Sequence, residues 1–175
     1  MQKKHFYYAA RRIFTGLCLA FAVTSANADS ANADDFTDLQ KAAKGQTVYF
    51  NAWGGDAKIN SYISWAGQIL ADRHDITLVH VKLTDTASAV SRILAEKAAG
   101  RENGGSIDLL WVNGENFAAM KRAGLLQNRS WVTSLPNWRY TDSKALPAIL
   151  SDFAEPTNGK ESPWGRAQLV FSYNS

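Results

Sequence analysis

Residues 47–83 read TVYFNAWGGDAKINSYISWAGQILADRHDITLVHVKL. The opening run, Thr47–Ala52, is β-branched and aromatic and ends at Gly54-Gly55, the pattern of a strand that breaks into a tight turn. From about Ala57 to Arg73 the apolar residues Ile59, Tyr62, Ile63, Ala66, Ile69 and Leu70 recur at i, i+3, i+4, i+7, i+10 and i+11, one stripe at helical period. Ile76–Leu83 returns to strand composition. Strand, helix and strand in that order predict a βαβ unit with parallel strands and a right-handed crossover.

The pattern continues downstream. Thr84 or Asp85 is placed to cap a second helix that runs through Ala99 and stops at Gly100, with Ala87, Val90, Leu94 and Ala98 along one face. Ile107–Val112 (IDLLWV) is apolar on both faces, which predicts a central strand covered by helices on each side. Glu115–Ala123 reads as a short helix closed by Gly124, with Leu125 set to make the apolar contact beyond the cap. The order β-α-β-α-β-α predicts an α/β lobe built on a parallel sheet over residues 47–166. Past Asn128 all four prolines (Pro136, Pro147, Pro156, Pro163) occur among Asn, Ser, Asp and Gly, which predicts short irregular segments packed on that lobe. Ala167–Tyr173 (AQLVFSY) again reads as a strand.

Upstream, residues 1–12 carry Lys3, Lys4, Arg11 and Arg12 and no acid. The uncharged apolar run Ile13–Val23 follows, then Ala26-Asn27-Ala28. A positive segment, a short apolar run and an A-x-A site are the layout of a cleavable secretory signal peptide, expected over residues 1–28. The apolar run is well short of the ~20 residues that span a bilayer. A second A-x-A at Ala31-Asn32-Ala33 is an alternative cut. Residues 29–46 form a polar lead-in.

This placement changes the meaning of the charge. The whole chain of 175 residues has 19 Lys and Arg against 16 Asp and Glu, net +3. Without residues 1–28 it keeps 15 basic and 16 acidic residues, net −1. The basic balance therefore does not argue for nucleic acid as a partner. The one cysteine, Cys18, falls inside the expected leader, so no disulfide framework or multi-cysteine metal site is expected.

In an open α/β sheet, ligands bind beyond the carboxyl ends of the strands. Three loops lie there: Asn51–Asp56, Thr84–Thr86 and Asn113–Asn116. Each holds one acid (Asp56, Asp85, Glu115) and none holds Lys or Arg. Convergence would give a negative, hydrogen-bonding rim for a cationic or polyhydroxyl solute, with Trp53 offering an indole face for stacking. The same acids are equally what a helix N-terminus takes for capping, and Gly54-Gly55 serves a turn as readily as a ligand. Dinucleotide, Walker, zinc-protease and nucleophile-elbow motifs are absent from the sequence. His74 and His80 lack the companions of a metal site, so neither a metal nor another cofactor is expected. Asn128-Arg129-Ser130 matches a glycosylation sequon, a pattern too common to decide anything.

Several long strings in order, VYFNAWGGDAKIN (48–60), SRILAEKAAGR (91–101), IDLLWVNGENFAAMK (107–121), LPNWRY (135–140) and ESPWGRAQLVFSYN (161–174), resemble the periplasmic solute-binding proteins of ABC importers, and among them the YnjB-type subgroup. The resemblance spans about Gln46–Asn174. It implies one lobe of a two-lobed type II periplasmic binding fold, a small solute held between lobes, delivery to a membrane permease, and no catalysis. Carried onto this sequence, it implies solute contacts at Trp53, Gly54, Gly55, Asp56, Asp85, Thr86, Asn113, Glu115, Asn116 and, leading into the hinge, Trp164. It implies that residues 167–175 begin the first hinge strand into a second lobe that the sequence lacks, leaving a truncated chain with weakened solute binding. The alternatives are a secreted α/β hydrolytic enzyme using Asp56 or Glu115 as general base, and a truncated product with no activity.

Overall fold

A computed structural model describes residues 33–101, 103–127 and 130–165. The expected signal peptide and the expected strand Ala167–Tyr173 lie outside the described residues. The polar lead-in is helical over Ala33–Ala42 (α1), where Lys41 pairs with Asp38 one turn earlier at 2.9 Å. Gly45, with φ of 75°, turns the chain into the sheet, and the backbone bond from Thr77 N to Gln46 O at 2.9 Å ties that entrance to the second strand.

The sheet is parallel, in the order β2-β1-β3. Strand β1 (Thr47–Trp53) pairs along its whole length with β2 (Thr77–Leu83), from Thr47 opposite Thr77 to Trp53 opposite Leu83. On its other side β1 pairs with β3 (Leu109–Leu110), Phe50 opposite Leu109 and Asn51 opposite Leu110. The mixed α/β lobe read from the sequence is thus the observed architecture. Among the described residues, however, the central strand is β1 and not the Ile107–Val112 run. That run is also a much shorter strand than expected. Asp108 Oδ2 accepts the amide of Tyr49 at 2.8 Å, a place where a ladder carbonyl would otherwise sit. Leu109 is left 43% exposed on a strand with no second neighbour among the described residues.

Helix α2 (Ala57–His74) packs on the face carrying Leu78 and His80, where Gly67 lets the helix approach the Leu78 side chain. Its expected stripe is confirmed at Ile63, which is buried, and at Ile59, Ala66, Ile69 and Leu70, which are half-buried; Tyr62 stays exposed. Asp75 closes the helix in the left-handed region at φ 55°, its amide bonding back to Ala71 O while the Ile76 amide bonds Leu70 O. Arg73 and His74 in the last turn suit the negative end of the helix dipole.

Helix α3 (Thr86–Ala98) buries Val90 as expected but departs from the rest of its expected face. Ala89 and Val90 are buried and Ile93 half-buried, while Ala87, Leu94 and Ala98 face solvent. The helix is rotated by about one position, because alanines satisfy either stripe and only the covering elements choose between them. Helix α4 (Gly114–Arg122) buries Phe117 and Met120. It ends as expected: Gly124 takes φ 62°, and Leu125 N bonds Met120 O at 2.9 Å. Lys97 then ties α3 to this turn, donating to Ala123 O at 3.0 Å and Gly124 O at 3.1 Å.

Beyond α4 the proline-rich third forms three 3₁₀ turns (Val132–Ser134, Pro136–Thr141, Pro147–Leu150) and a small hairpin of β4 (Ser151–Asp152) and β5 (Glu155–Pro156). Val132 is buried, and with Phe117 and Asn51 it is among the largest fully buried side chains. Among the described residues no helix is long and apolar enough to cross a membrane.

Two stability outcomes follow. Phe117 is fully buried, so Phe117→Ala is expected to cost about 3–5 kcal/mol in denaturant unfolding. Asp75→Gly removes the left-handed penalty of a residue with a Cβ and is expected to stabilise by roughly 0.5–1 kcal/mol; a Cm that falls would contradict the strain assigned to this cap.

Candidate functional site

Parallel pairing brings the carboxyl ends of all three strands to one edge of the sheet. Trp53 and Leu83 stand opposite each other at the ends of β1 and β2, and Thr86 Oγ1 lies 3.5 Å from Trp111 O just past β3. The three loops named from the sequence therefore share one edge.

Each loop is shaped by close contacts. Gly54 lies against Lys82, and a Cβ there would come within 2.7 Å of the Lys82 Cβ. The Trp53 indole folds over Gly55, leaving no room for a side chain at that position. Trp53 is still 45% exposed. Asn60 Nδ2 donates to Gly54 O at 2.9 Å, fastening the loop to the first turn of α2.

The acids are committed to the helices. Asp56 Oδ1 accepts the Ile59 amide at 2.9 Å and caps α2. Asp85 Oδ1 accepts the Ala87 amide at 3.2 Å and caps α3. Asn113 stands at the N-cap of α4 without a side-chain bond to it. Glu115 lies exposed in the first turn of α4, with Asn116 half-buried beside it. Capping thus accounts for Asp56 and Asp85, while Asn113, Glu115 and Trp53 keep free functional groups at the edge.

Three residues of the site region gave no sequence signal. Asp152, from the β4–β5 hairpin, accepts the Gly114 amide at 2.5 Å. Glu161 approaches it, with Oε2 buried and unpaired. Burial, and next the charge of Asp152, push the Glu161 carboxyl up to about 7. Trp111, at the exit of β3, stacks on Trp164 with ring centroids 4.9 Å apart. Trp164 also meets Tyr62 edge-on at 5.7 Å and Phe50 at 6.1 Å. Trp164 therefore belongs to an aromatic cluster on the α2 face, apart from Trp53.

A trough of about 2030 Å³ runs along the unpaired side of β3, lined by Leu109, Trp111, Asn113, Asp152, Glu161 and Trp164 among others. Ordinary small-molecule sites hold about 300–1,000 Å³, so among the described residues this is an open surface and not a closed pocket. It reaches Asn113 and Trp164 but neither Asp56 nor Asp85. A second hollow of about 340 Å³ lies between α2 and β2, beside Gly67 and His80. His80 sits half-buried in β2, Nε2 lying 3.4 Å from Ala52 O. Among the described residues no group of three or more His, Cys, Asp or Glu side chains could hold a metal. The sequon at Asn128 lies partly outside the described residues.

Among known proteins, the chain is similar to Protein YnjB of Escherichia coli (strain K12), with 54% identity over 142 residues. The match covers 81% of this chain and 36% of that protein, so the chain spans about a third of the length of the curated relative it matches. No family model matches, and no solved structure matches.

The Glu161 shift has a direct consequence. A carboxyl raised from 4.5 to about 7 holds an extra proton in the folded state between those values. Stability from this group is therefore undiminished below pH 4.5 and falls as pH rises toward 7. Glu161→Gln is expected to flatten that decline and to raise the midpoint of unfolding at pH 8 relative to the native chain. An unchanged pH profile in the variant would show that Glu161 is not the titrating group.

Proposed function

We propose that the chain belongs to an exported solute-binding component of an ABC importer, a protein that captures a small solute between two lobes and passes it to a membrane permease. The observation that carries this reading is the edge of the parallel sheet. Three strand-to-helix loops bring Trp53, Gly54, Gly55, Asn113, Glu115 and Asn116 to one side of a rigid β2-β1-β3 platform. That edge is where open α/β sheets take their ligands. The ordered resemblance from Val48 to Asn174 supports the family, and the similarity to YnjB supports its subgroup. The signal pattern in residues 1–28 supports export to the periplasm.

In this reading the described lobe is one wall of the cleft, and the solute is cationic or polyhydroxyl. No covalent chemistry is assigned to it, and no cofactor or nucleic acid. The competing reading, a secreted hydrolytic enzyme with Asp56 as general base, fits less well. The Asp56 carboxylate is already engaged as the cap of α2, accepting the Ile59 amide. Glu115, the other candidate base, is exposed in the first turn of α4.

A thermal-unfolding screen of the full chain against cations, amines, vitamins, sugars and short peptides tests the reading. Binding stabilises by RT ln(1 + [L]/Kd), about 2.7 kcal/mol at a ligand concentration of 100 Kd. The expected outcome is a concentration-dependent rise in Tm with one cationic or polyhydroxyl class, and a smaller rise after Trp53→Ala. Turnover of an ester or amide substrate, with no stabilising solute, would replace the transport reading with the hydrolytic one.

A further inference from the structure

The sheet has a second open edge, on the side of β1 away from β3. Strand β2 ends the order β2-β1-β3, and no described strand pairs with its outer side. In a parallel strand, alternate residues turn their backbone groups to opposite sides. Thr77 N donates to Gln46 O at 2.9 Å and Leu83 O accepts from Gly54 N at 3.0 Å, so Thr77 and Leu83 face β1. By alternation Leu78, His80 and Lys82 turn their amides and carbonyls outward. The edge is seven residues long, without proline or glycine, and Lys82 is its one Lys, Arg, Asp or Glu. It lacks most of the devices that keep strand edges from pairing.

Beside this edge lies the hollow of about 340 Å³, walled by Thr77 and Leu78 from the strand and by Ser64, Gly67 and Ala71 from α2. Ala71 and Thr77 place it next to the C-terminal end of α2, where Asp72 and Asp75 are exposed. Neither acid enters an ion pair among the described residues. Of the basic residues there, Arg73 stands three turns below Tyr62, round the helix from the hollow, and His74 is half-buried. The acids and the negative end of the helix dipole together favour a positive group. The hollow therefore suits a long side chain with an apolar stem and a cationic head.

A second copy of the chain supplies that side chain. When two β2 edges meet antiparallel about a twofold axis, the contact is self-complementary. The register centred on His80 pairs both strands over their full seven residues; a register one residue either way leaves strand residues unpaired. In the centred register His80 faces its symmetry mate, and Leu78 faces Lys82 of the other copy, each as a hydrogen-bonded pair. Residues directly opposite share a sheet face. Each Lys82 thus meets the other copy's hollow at Leu78 and brings its ammonium toward Asp72 and Asp75. In the free chain the exposed Lys82 stem lies against Gly54, and it reaches the hollow by rotation about its own bonds.

We propose that the outer edge of β2 is a homodimer interface, in which two copies join their sheets antiparallel at His80 and each inserts Lys82 into the other's α2–β2 hollow. The interface is independent of the solute-binding reading, because it lies across β1 from β3 and its trough. Specific interfaces bury about 1,200–2,000 Å². A seven-residue strand pair with one inserted side chain from each copy stands at the low end. The dimer is therefore concentration-dependent, with a Kd on the order of micromolar.

Sedimentation of the full chain and cysteine placement test the interface together. Lys82→Pro removes an outward amide without touching the β1 ladder, and is expected to raise the Kd of the dimer at least about tenfold. Lys82→Glu guards against a proline variant that does not fold; it brings a carboxylate to Asp72 and Asp75 and is expected to weaken the dimer in the same direction. In a Cys18→Ser background, His80→Cys, Leu78→Cys and Lys82→Cys are oxidised mildly and run on non-reducing gels. Hydrogen-bonded partners have Cα atoms about 5.5 Å apart, within the ~4.4–6.8 Å that a disulfide spans. His80→Cys is expected to link to itself, whereas Leu78→Cys and Lys82→Cys are expected to link only when mixed. A chain still monomeric at about 100 µM, well above the expected Kd, overturns the proposal. So does a dimer that neither Lys82→Pro nor Lys82→Glu weakens, or a Lys82→Cys chain that links to itself as readily as His80→Cys.

Discussion

The seven-residue parallel pairing of β1 with β2 is the constraint on which the molecule is organised. Parallel strands cannot be joined by a tight turn, so α2 must cross between them, and every strand must end on the same edge. Once β3 joins β1 at Phe50 and Asn51, the loops after all three strands are neighbours. Nothing about solute or function is needed to bring them together. What function adds is the content of those loops: a tryptophan folded over a glycine, side-chain amides at the head of α4, and acids in place of basic residues.

Periodicity made α2 and the two long strands legible, because each buries one face along its length. The helix ends were legible for a local reason: Asp56, Asp85, Gly100 and Gly124 act within a few residues of where they occur. The failures have physical causes as well. The Ile107–Val112 run has the composition of a buried strand, yet Asp108 uses its side chain to bind the Tyr49 amide, and the ladder there shrinks to Leu109 and Leu110. In α3, alanines at several positions leave the buried face undetermined until β1 and α4 are in place. Asp152 could not be found from local pattern at all. Its partner is 38 residues away, and nothing in Ser-Asp-Phe-Ala distinguishes it from any polar turn.

The acids of the loop edge show why residue type alone does not define a site. Asp at the start of a helix satisfies a free amide and the dipole at once, and Asp56 and Asp85 do so. A carboxylate that accepts one N–H still has acceptor capacity, so capping and solute contact are compatible. Capping nevertheless fixes the position of the side chain within the fold. The result is a preorganised rim on the loop edge whose acids are placed by the folding of the helices.

The side of β3 that no described strand pairs carries a different implication. A strand edge with exposed Leu109 beside a wide apolar trough is costly to leave open to water. The chain itself begins to cover it. Trp164 crosses from the proline-rich third to stack on Trp111 and reach Phe50 and Tyr62, so one indole touches β1, α2 and the exit of β3 together. The same trough extends to Asn113 and Asp152 at the start of α4. Whatever packs against β3 must therefore adjoin the head of α4, and covering the sheet edge and shaping the loop edge become a single packing problem with Trp111, Asn113 and Trp164 at its centre.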